Sequence, residues 1–265
     1  MSERKINARE QSLLPNSSLG VEFNWDNETY YCEPVAIGFT GLSGTGKTTQ
    51  ATKLGILLNV DVEKGGGHFR AVYESTTGEK ALRFIPRSTD ADREYDMALM
   101  ERAHEAKVNG EISIIEARLS GVDIAEQMIR EMEIAQETPR AIYDVKACCI
   151  LLRGHVDNRM KNVARRSYEE GHRIGRKDLK KLTQDRDIKD IQRWQGLYPR
   201  LLGKNSPYEE SIKDRNGNKI YIIVVDIDGR SEDQVHQEIV KQMIGEGVFV
   251  KASTTPPQSL LDPAS

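Results

Sequence analysis

The stretch of sequence that decides the fold reads Val35-Ala36-Ile37-Gly38-Phe39-Thr40-Gly41-Leu42-Ser43-Gly44-Thr45-Gly46-Lys47-Thr48. Residues 35–40 form an apolar run typical of a buried strand, and residues 49–54 favour a helix. Between them, residues 41–48 match the pattern G-x-x-x-x-G-K-S/T. In such a loop several backbone N–H groups point at one anion, and the helix N-terminus adds partial positive charge. The stretch therefore predicts a phosphate-binding loop between a strand and a helix.

This loop predicts ATP and Mg²⁺ as cofactors. We expect Lys47 to reach the β and γ phosphates and to act in catalysis, and the Thr48 hydroxyl to ligate the metal. The predicted ATP-binding residues are Gly41, Ser43, Gly44, Thr45, Gly46, Lys47, Thr48 and Thr49. The alternative, a glycine-rich turn with a surface lysine, is disfavoured because strand, loop and helix coincide. The motif alone does not distinguish a motor, a switch and a phosphoryl donor site.

Four further apolar runs predict the rest of a sheet, at residues 57–62, 112–115, 147–152 and 220–225. They are continuous, as expected for strands buried on both faces. Helical patterns separate them, at residues 90–107 and from Ser231, which forms a capping-box pattern with Gln234. We therefore predict an α/β fold of the P-loop NTPase type, with a doubly wound parallel sheet of about five strands.

The chain has 265 residues, of which 38% are hydrophobic and 30% charged, enough for one sizeable core. We expect an amino-terminal extension over residues 1–34, partly ordered, a main domain over 35–245, and a disordered tail over 246–265. No apolar stretch approaches the roughly 18 residues of a membrane helix, and three cysteines form no disulfide pattern, so we expect a cytoplasmic protein without a membrane partner.

Residues 153–200 are basic, with 14 Lys and Arg against 7 Asp and Glu. Nucleic-acid binding is not expected, because acids interrupt the basic residues and no aromatic stacking pattern accompanies them.

Several arginines predict a second phosphate site. Arg70 ends a glycine-rich loop after the second predicted strand, and Arg118 follows the third. Arg186, Asp190 and Arg193 stand at i, i+4 and i+7 of a predicted helix and share one face. Each feature alone is typical of a solvated surface, but together they favour a site where guanidinium groups bind a phosphate bidentately. Asp190 would accept a hydrogen bond from the exocyclic amine of a base.

These motifs make the chain similar to cytidylate kinases, especially the compact archaeal-type and cytidylate-kinase-like branch. The resemblance spans about residues 35–244 and rests on the loop at 41–49, residues 66–70, residues 116–121, and the R-x-x-x-D-x-x-R pattern at 186–193. It implies transfer of the γ-phosphoryl group of ATP to a nucleoside monophosphate, most simply CMP or dCMP. Ala117, where the family usually has Gly, and the inserted residues 123–140 depart from the family pattern.

The resemblance also implies residue roles. Asp190 would help select cytosine, and residues 159–182 would form a helical lid over ATP. The arginines Arg159 and Arg166 of this lid would join Lys47 and Arg118 in catalysis. The residues implied to bind the acceptor are Arg70, Arg118, Arg186, Asp190 and Arg193.

Two alternative functions remain open at the level of sequence. One is a P-loop kinase of another nucleotide or of a small alcohol, as in shikimate-type kinases. The other is a non-catalytic nucleotide-binding regulatory module. For Glu116, a water-mediated contact to Mg²⁺ and an ion pair with an arginine are equally compatible with its place at a strand end. The sequence gives no expectation for the oligomeric state.

Overall fold

The computed structural model describes residues 20–65, 105–106, 109–118, 120, 147–169, 171, 173–202, 204–213, 217 and 219–252. In chain order the elements are β1 (Val21–Trp25), β2 (Glu28–Cys32), β3 (Ala36–Thr40), α1 (Lys47–Leu58), β4 (Val62–Lys64), β5 (Ser113–Glu116), β6 (Ala147–Arg153), α2 (Val156–Glu169), α3 (Arg176–Leu197), α4 (Pro199–Leu202), β7 (Ile223–Asp226), α5 (Glu232–Gly245) and β8 (Phe249–Lys251).

Five strands form the main sheet, in the order β4-β5-β3-β6-β7, and all four neighbouring pairs are parallel. All five residues of the central strand β3 are buried, because helices cover both faces of the sheet. Phe39 lies opposite Glu116 on one side and Ile150 on the other. The predicted α/β parallel sheet of five strands is confirmed, and its carboxyl ends meet at the loop that follows β3.

The predicted capping box of the last helix is also confirmed. The Ser231 side chain accepts a hydrogen bond from the Gln234 backbone, and the Gln234 side chain accepts one from the Ser231 backbone at 2.8 Å. This reciprocal pair satisfies two backbone donors at the start of α5. The predicted helix at 90–107 lies outside the described residues except for Glu105 and Ala106, which are helical.

One predicted strand, over residues 57–62, is wrong. Helix α1 continues through Leu58 and ends at Asn59, which adopts a left-handed φ of 53°. Leu54 and Leu58 stand four residues apart and are both fully buried on one face of this helix. A short apolar run does not reveal whether its burial is helical or extended, and only Val62–Lys64 pairs in the sheet.

A second sheet is antiparallel and has three strands, in the order β1-β2-β8. It combines two strands that precede β3 with one strand that follows α5. Phe249 pairs with Cys32, and both belong to the same buried cluster as Phe23 and Ile37. The predicted disorder from residue 246 is therefore wrong for Phe249–Lys251, because pairing with β2 orders this segment. The extension is ordered over residues 20–34. No helix among the described residues is long and apolar enough to cross a membrane.

Candidate active site

The predicted phosphate-binding loop lies between β3 and α1, at the carboxyl end of the central strand. Gly44 and Gly46 adopt φ values of 86° and 84°, which glycine reaches without strain. A Cβ atom at Gly46 would meet no atom within 4 Å, so the loop borders open space here. The N-cap residue of α1 is Gly46, which has no side chain to cap the first N–H groups. This cradle fits a phosphate chain at a helix N-terminus.

Lys47 is the first residue of α1 and is only 8% exposed. Its Nζ donates to the carbonyl oxygens of Gly41 at 2.7 Å and Leu42 at 3.1 Å. The Lys47 pKa is lowered to about 8, mainly by burial. The charge of Glu116 acts in the opposite direction, and the charges of neighbouring arginines contribute to the lowering. The ammonium therefore lies in a largely desolvated site, where its charge would act strongly on a phosphate.

Thr48, which follows Lys47, and Glu116, whose charge acts on Lys47, both carry side-chain oxygens in this region. Thr48 is half-buried in the first turn of α1, and Glu116 ends β5 with 7% exposure. No group of three or more His, Cys, Asp or Glu side chains suited to a metal ion occurs among the described residues. This donor set fits Mg²⁺, which is typically bound by few protein oxygens together with substrate phosphates.

A cleft of about 450 Å³ opens beside the loop, between α2 and the segment that follows β7. Gly44 and Gly46 line one side, Arg165 and Arg166 another, and Ser231 the far side. Arg166 is exposed on α2, and its charge contributes to lowering the Lys47 pKa. The position of Arg166 is therefore compatible with its predicted role near the transferring phosphoryl group.

Arg159 is buried, whereas the resemblance implies a lid arginine that reaches ATP. It is 4% exposed, and its Nη1 donates to Ser43 O at 3.0 Å while its Nη2 donates to Asp187 Oδ2 at 2.8 Å. One residue of the next helical turn, Asn162, donates to Gly44 O at 2.9 Å. The first turns of the predicted lid thus pack against the phosphate-binding loop.

The structure brings three of the predicted acceptor-site arginines together around Asp190. Arg118 contacts Asp190 Oδ2, Arg186 Nε lies 3.8 Å from the same oxygen, and Arg193 Nη2 lies 3.1 Å from Oδ1. Each arginine side chain is 18% exposed, and that of Asp190 is 10% exposed. We call these three arginines and Asp190 the arginine cluster. Sequence spacing predicted the part of the cluster that lies on α3. Its completion by Arg118 requires β5 to end beside α3.

Arg118 also lies close enough to the phosphate-binding loop for its charge to act on Lys47. It follows β5, the strand paired with β3, and its charge contributes to lowering the Lys47 pKa. The predicted donor and acceptor residues therefore occupy one region of the molecule. Arg70, the remaining predicted acceptor residue, lies outside the described residues.

Sequence reasoning missed four residues of this region. Asn162 contacts the loop, whereas Asp187 contacts Arg159, which in turn contacts the loop. Asp187 was detectable as an acid one turn before Asp190 on the same helix. Trp194 is 2% exposed, with the Arg193 guanidinium 4.7 Å from its ring centroid. The pKa of Tyr208 is raised by burial and by the charge of Asp190, which places this phenol beside the arginine cluster. Trp194 directly follows Arg193 on α3 and was detectable from sequence, whereas tertiary structure brings Tyr208 here.

No protein-family model matches the sequence, and no curated protein matches it. Three solved structures illustrate what the fold is similar to. A sugar kinase from Janibacter sp. has a TM-score of 0.47 and 13% identity, covering 81% of this chain and 98% of that chain. A gluconokinase from Sinorhizobium meliloti has a TM-score of 0.44 and 13% identity, covering 79% and 91%. A shikimate kinase from Acinetobacter baumannii has a TM-score of 0.45 and 10% identity, covering 80% and 94%. Similarities at this level do not indicate a substrate.

Proposed function

We propose that the protein is an ATP- and Mg²⁺-dependent phosphotransferase whose acceptor carries a phosphate, with CMP or dCMP as the acceptors. The observation that carries the proposal is the position of Arg118. This residue contacts Asp190 in the arginine cluster, and its charge acts on Lys47 of the phosphate-binding loop. The two proposed sites for anionic groups would thereby be neighbours, as a transfer between two phosphates requires.

The chemistry of the arginine cluster supports a phosphate-bearing acceptor. A guanidinium group presents a planar fork of N–H donors that matches two phosphate oxygens. Three such forks are held around one carboxylate and are largely removed from solvent, so an acceptor phosphate here would be bound by groups already in place. A neutral sugar hydroxyl gives such a cluster nothing to neutralise.

The roles of the chain's own residues follow from their positions. Lys47 and Arg166 would stabilise negative charge on the transferring group, and Arg118 would hold the acceptor phosphate in line. Thr48 would hold Mg²⁺, which when bound neutralises charge on the β and γ phosphates. Phosphoryl transfer depends mainly on positioning and charge, so this proposal needs no histidine base.

The choice of CMP or dCMP rests on the resemblance to cytidylate kinases and on Asp190. A carboxylate accepts a hydrogen bond from the N4 amine of cytosine and repels the O4 oxygen of uracil. In the structure, both oxygens of Asp190 contact arginines, so the base would share this carboxylate with them. Arg70 remains a proposed further contact to the acceptor phosphate.

The test is ADP release from ATP and Mg²⁺ over a panel of CMP, dCMP, UMP, AMP, gluconate and shikimate. We expect CMP and dCMP to be the best acceptors, and Arg118→Lys to lower their kcat/KM by about 10-fold or more, because a point charge does not replace a bidentate contact. Arg153→Lys is the matched control, because Arg153 is 48% exposed and contacts Glu210. The proposal would be refuted if ADP were released only with the unphosphorylated acceptors gluconate and shikimate, or if no acceptor of the panel stimulated ADP release.

A further inference from the structure

We infer that Arg159 and Asp187 are positioning residues that connect α3 to the phosphate-binding loop and thereby set nucleotide affinity. The inference rests on the proposed nucleotide binding at this loop. It differs from the role implied by the family resemblance, in which Arg159 is a lid residue that contacts the transferring phosphoryl group.

Arg159 has three contacts that fix its guanidinium within the protein. Nε donates to Gly154 O at 3.1 Å, Nη1 donates to Ser43 O at 3.0 Å, and Nη2 donates to Asp187 Oδ2 at 2.8 Å. Since the guanidinium group is planar and rigid, three contacts to separate groups determine its position. Neither Arg159 nor Asp187 lines the cleft beside the loop. Arg159 therefore acts on the loop through the Ser43 carbonyl.

The contacts from α2 determine the orientation of two peptide groups at the tip of the loop. Arg159 binds the carbonyl of Ser43, and Asn162 binds that of Gly44. In a trans peptide the N–H of the next residue points opposite to the carbonyl. Holding these two oxygens against α2 therefore also fixes the N–H directions at Gly44 and Thr45. A loop with fixed peptide groups loses less conformational freedom when it binds phosphate.

Helix α3 carries this connection and the arginine cluster on one face. Asp187 and Asp190 are three residues apart, and both are buried. Asp187 contacts Arg159 on the donor side, whereas Asp190 contacts Arg118 on the acceptor side. Removing the charge of Asp187 should therefore affect the nucleotide while leaving the acceptor contacts in place.

The chain offers a matched control pair between the same two helices. Lys180 of α3 contacts Asp157 of α2 at 2.6 Å, with side chains 39% and 47% exposed. This pair also joins α2 to α3, but it does not contact the phosphate-binding loop. Asp157→Asn therefore reports the effect of loosening the helix pair, together with loss of the Asp157 contact to His155 at 3.4 Å, without a change at the loop.

The experiment is calorimetric titration of the full chain with ADP, without acceptor, for wild type, Asp187→Asn and Asp157→Asn. We expect Asp187→Asn to weaken ADP binding by about 10-fold or more, because Arg159 loses a charged hydrogen bond that orients it. Asp157→Asn should stay within about twofold of wild type, as typical for an exposed pair. In turnover, Asp187→Asn should raise the KM for ATP more than the KM for CMP. A merely structural role would lower the melting temperature without this split.

Equal ADP affinity in Asp187→Asn and wild type would overturn the inference but not the proposed function. An equal loss of affinity in Asp187→Asn and Asp157→Asn would do the same. Absence of ADP binding to wild type would instead refute the proposed function and the inference with it. Should Asp187→Asn fail to fold, the double variant Arg159→Gln with Asp187→Asn serves in its place, because it leaves no buried charge without its partner. The same loss of affinity is expected from it, and wild-type affinity would again overturn the inference.

Discussion

At the scale of single residues, Lys47 shows how the fold changes the chemistry of one side chain. A solvated lysine is protonated well above neutral pH, but burial lowers the Lys47 pKa to about 8. The charges of Arg118 and Arg166 act in the same direction, and Glu116 acts against them. The carboxylate at the end of β5 therefore helps keep Lys47 charged.

This balance predicts a pH dependence for the nucleotide step. The charged form of Lys47 dominates below its pKa and is lost as the pH rises through about 8. Because kcat/KM reports the free enzyme, kcat/KM for ATP should fall above that pH. Glu116→Gln removes the charge that raises the pKa, so the fall should begin at lower pH. The measurement is initial rates across pH 6.5 to 9.5 with both substrates held well below their KM values, and identical profiles for both proteins would contradict this assignment.

The positions of single residues were predictable only where local sequence determines them. Lys47 and Thr48 follow from the loop motif, and the Arg186–Asp190–Arg193 face follows from helical spacing. The contacts of Arg159 with Ser43 and Asp187 join three separate segments. The sequence around Arg159 does not indicate that its guanidinium is buried. Sequence reasoning therefore placed Arg159 among the catalytic candidates.

At the scale of elements, α2 and the phosphate-binding loop behave as one packed unit. A Cβ atom at Gly44 would lie 2.5 Å from Arg159 O and 2.8 Å from Val163 Cγ2. The nearer atom belongs to the α2 backbone, which does not rotate away as a flexible side chain does. Gly46 has nearly the same φ but faces open space. Comparing substitutions at the two glycines therefore distinguishes the cost of backbone strain from the cost of packing.

The pair predicts different stabilities for Gly44→Ala and Gly46→Ala. Both alanines adopt an unfavourable left-handed conformation, at a cost of roughly 1–2 kcal/mol. Only Gly44→Ala also overpacks against α2, which typically costs a further 1–3 kcal/mol. Urea unfolding without nucleotide should therefore give Gly44→Ala the lower free energy of unfolding. Equal values would mean that α2 moves freely with respect to the loop.

At the scale of the whole molecule, the sequence was most informative about the parallel sheet and least about the chain ends. Strands β3, β5 and β6 are buried on both faces, and their continuous apolar runs predicted them. Strands β1, β2 and β8 are short and partly exposed, and β8 pairs with β2 from the opposite end of the chain. Such pairing depends on which edges the fold brings together, and local sequence does not encode that proximity.

The last prediction tests whether this second sheet is part of the main core. Phe249 of β8 is 1% exposed and packs edge-on against Phe23, with ring centroids 4.7 Å apart, in the cluster that also contains Ile37 and Leu54. Phe249→Ala removes a large buried side chain and leaves a cavity, so it should lower the free energy of unfolding by about 3–5 kcal/mol.

The neighbouring Val250 provides the control, because it is 52% exposed and lies on the opposite face of the same strand. Val250→Ala should change the free energy of unfolding by only about 0.5 kcal/mol. Both values come from urea unfolding followed by circular dichroism. A loss in Phe249→Ala no greater than in Val250→Ala would mean that β8 is a peripheral strand. A single cooperative transition, with a large loss of unfolding free energy in Phe249→Ala only, would instead show that the second sheet belongs to the core that supports β3 and the phosphate-binding loop.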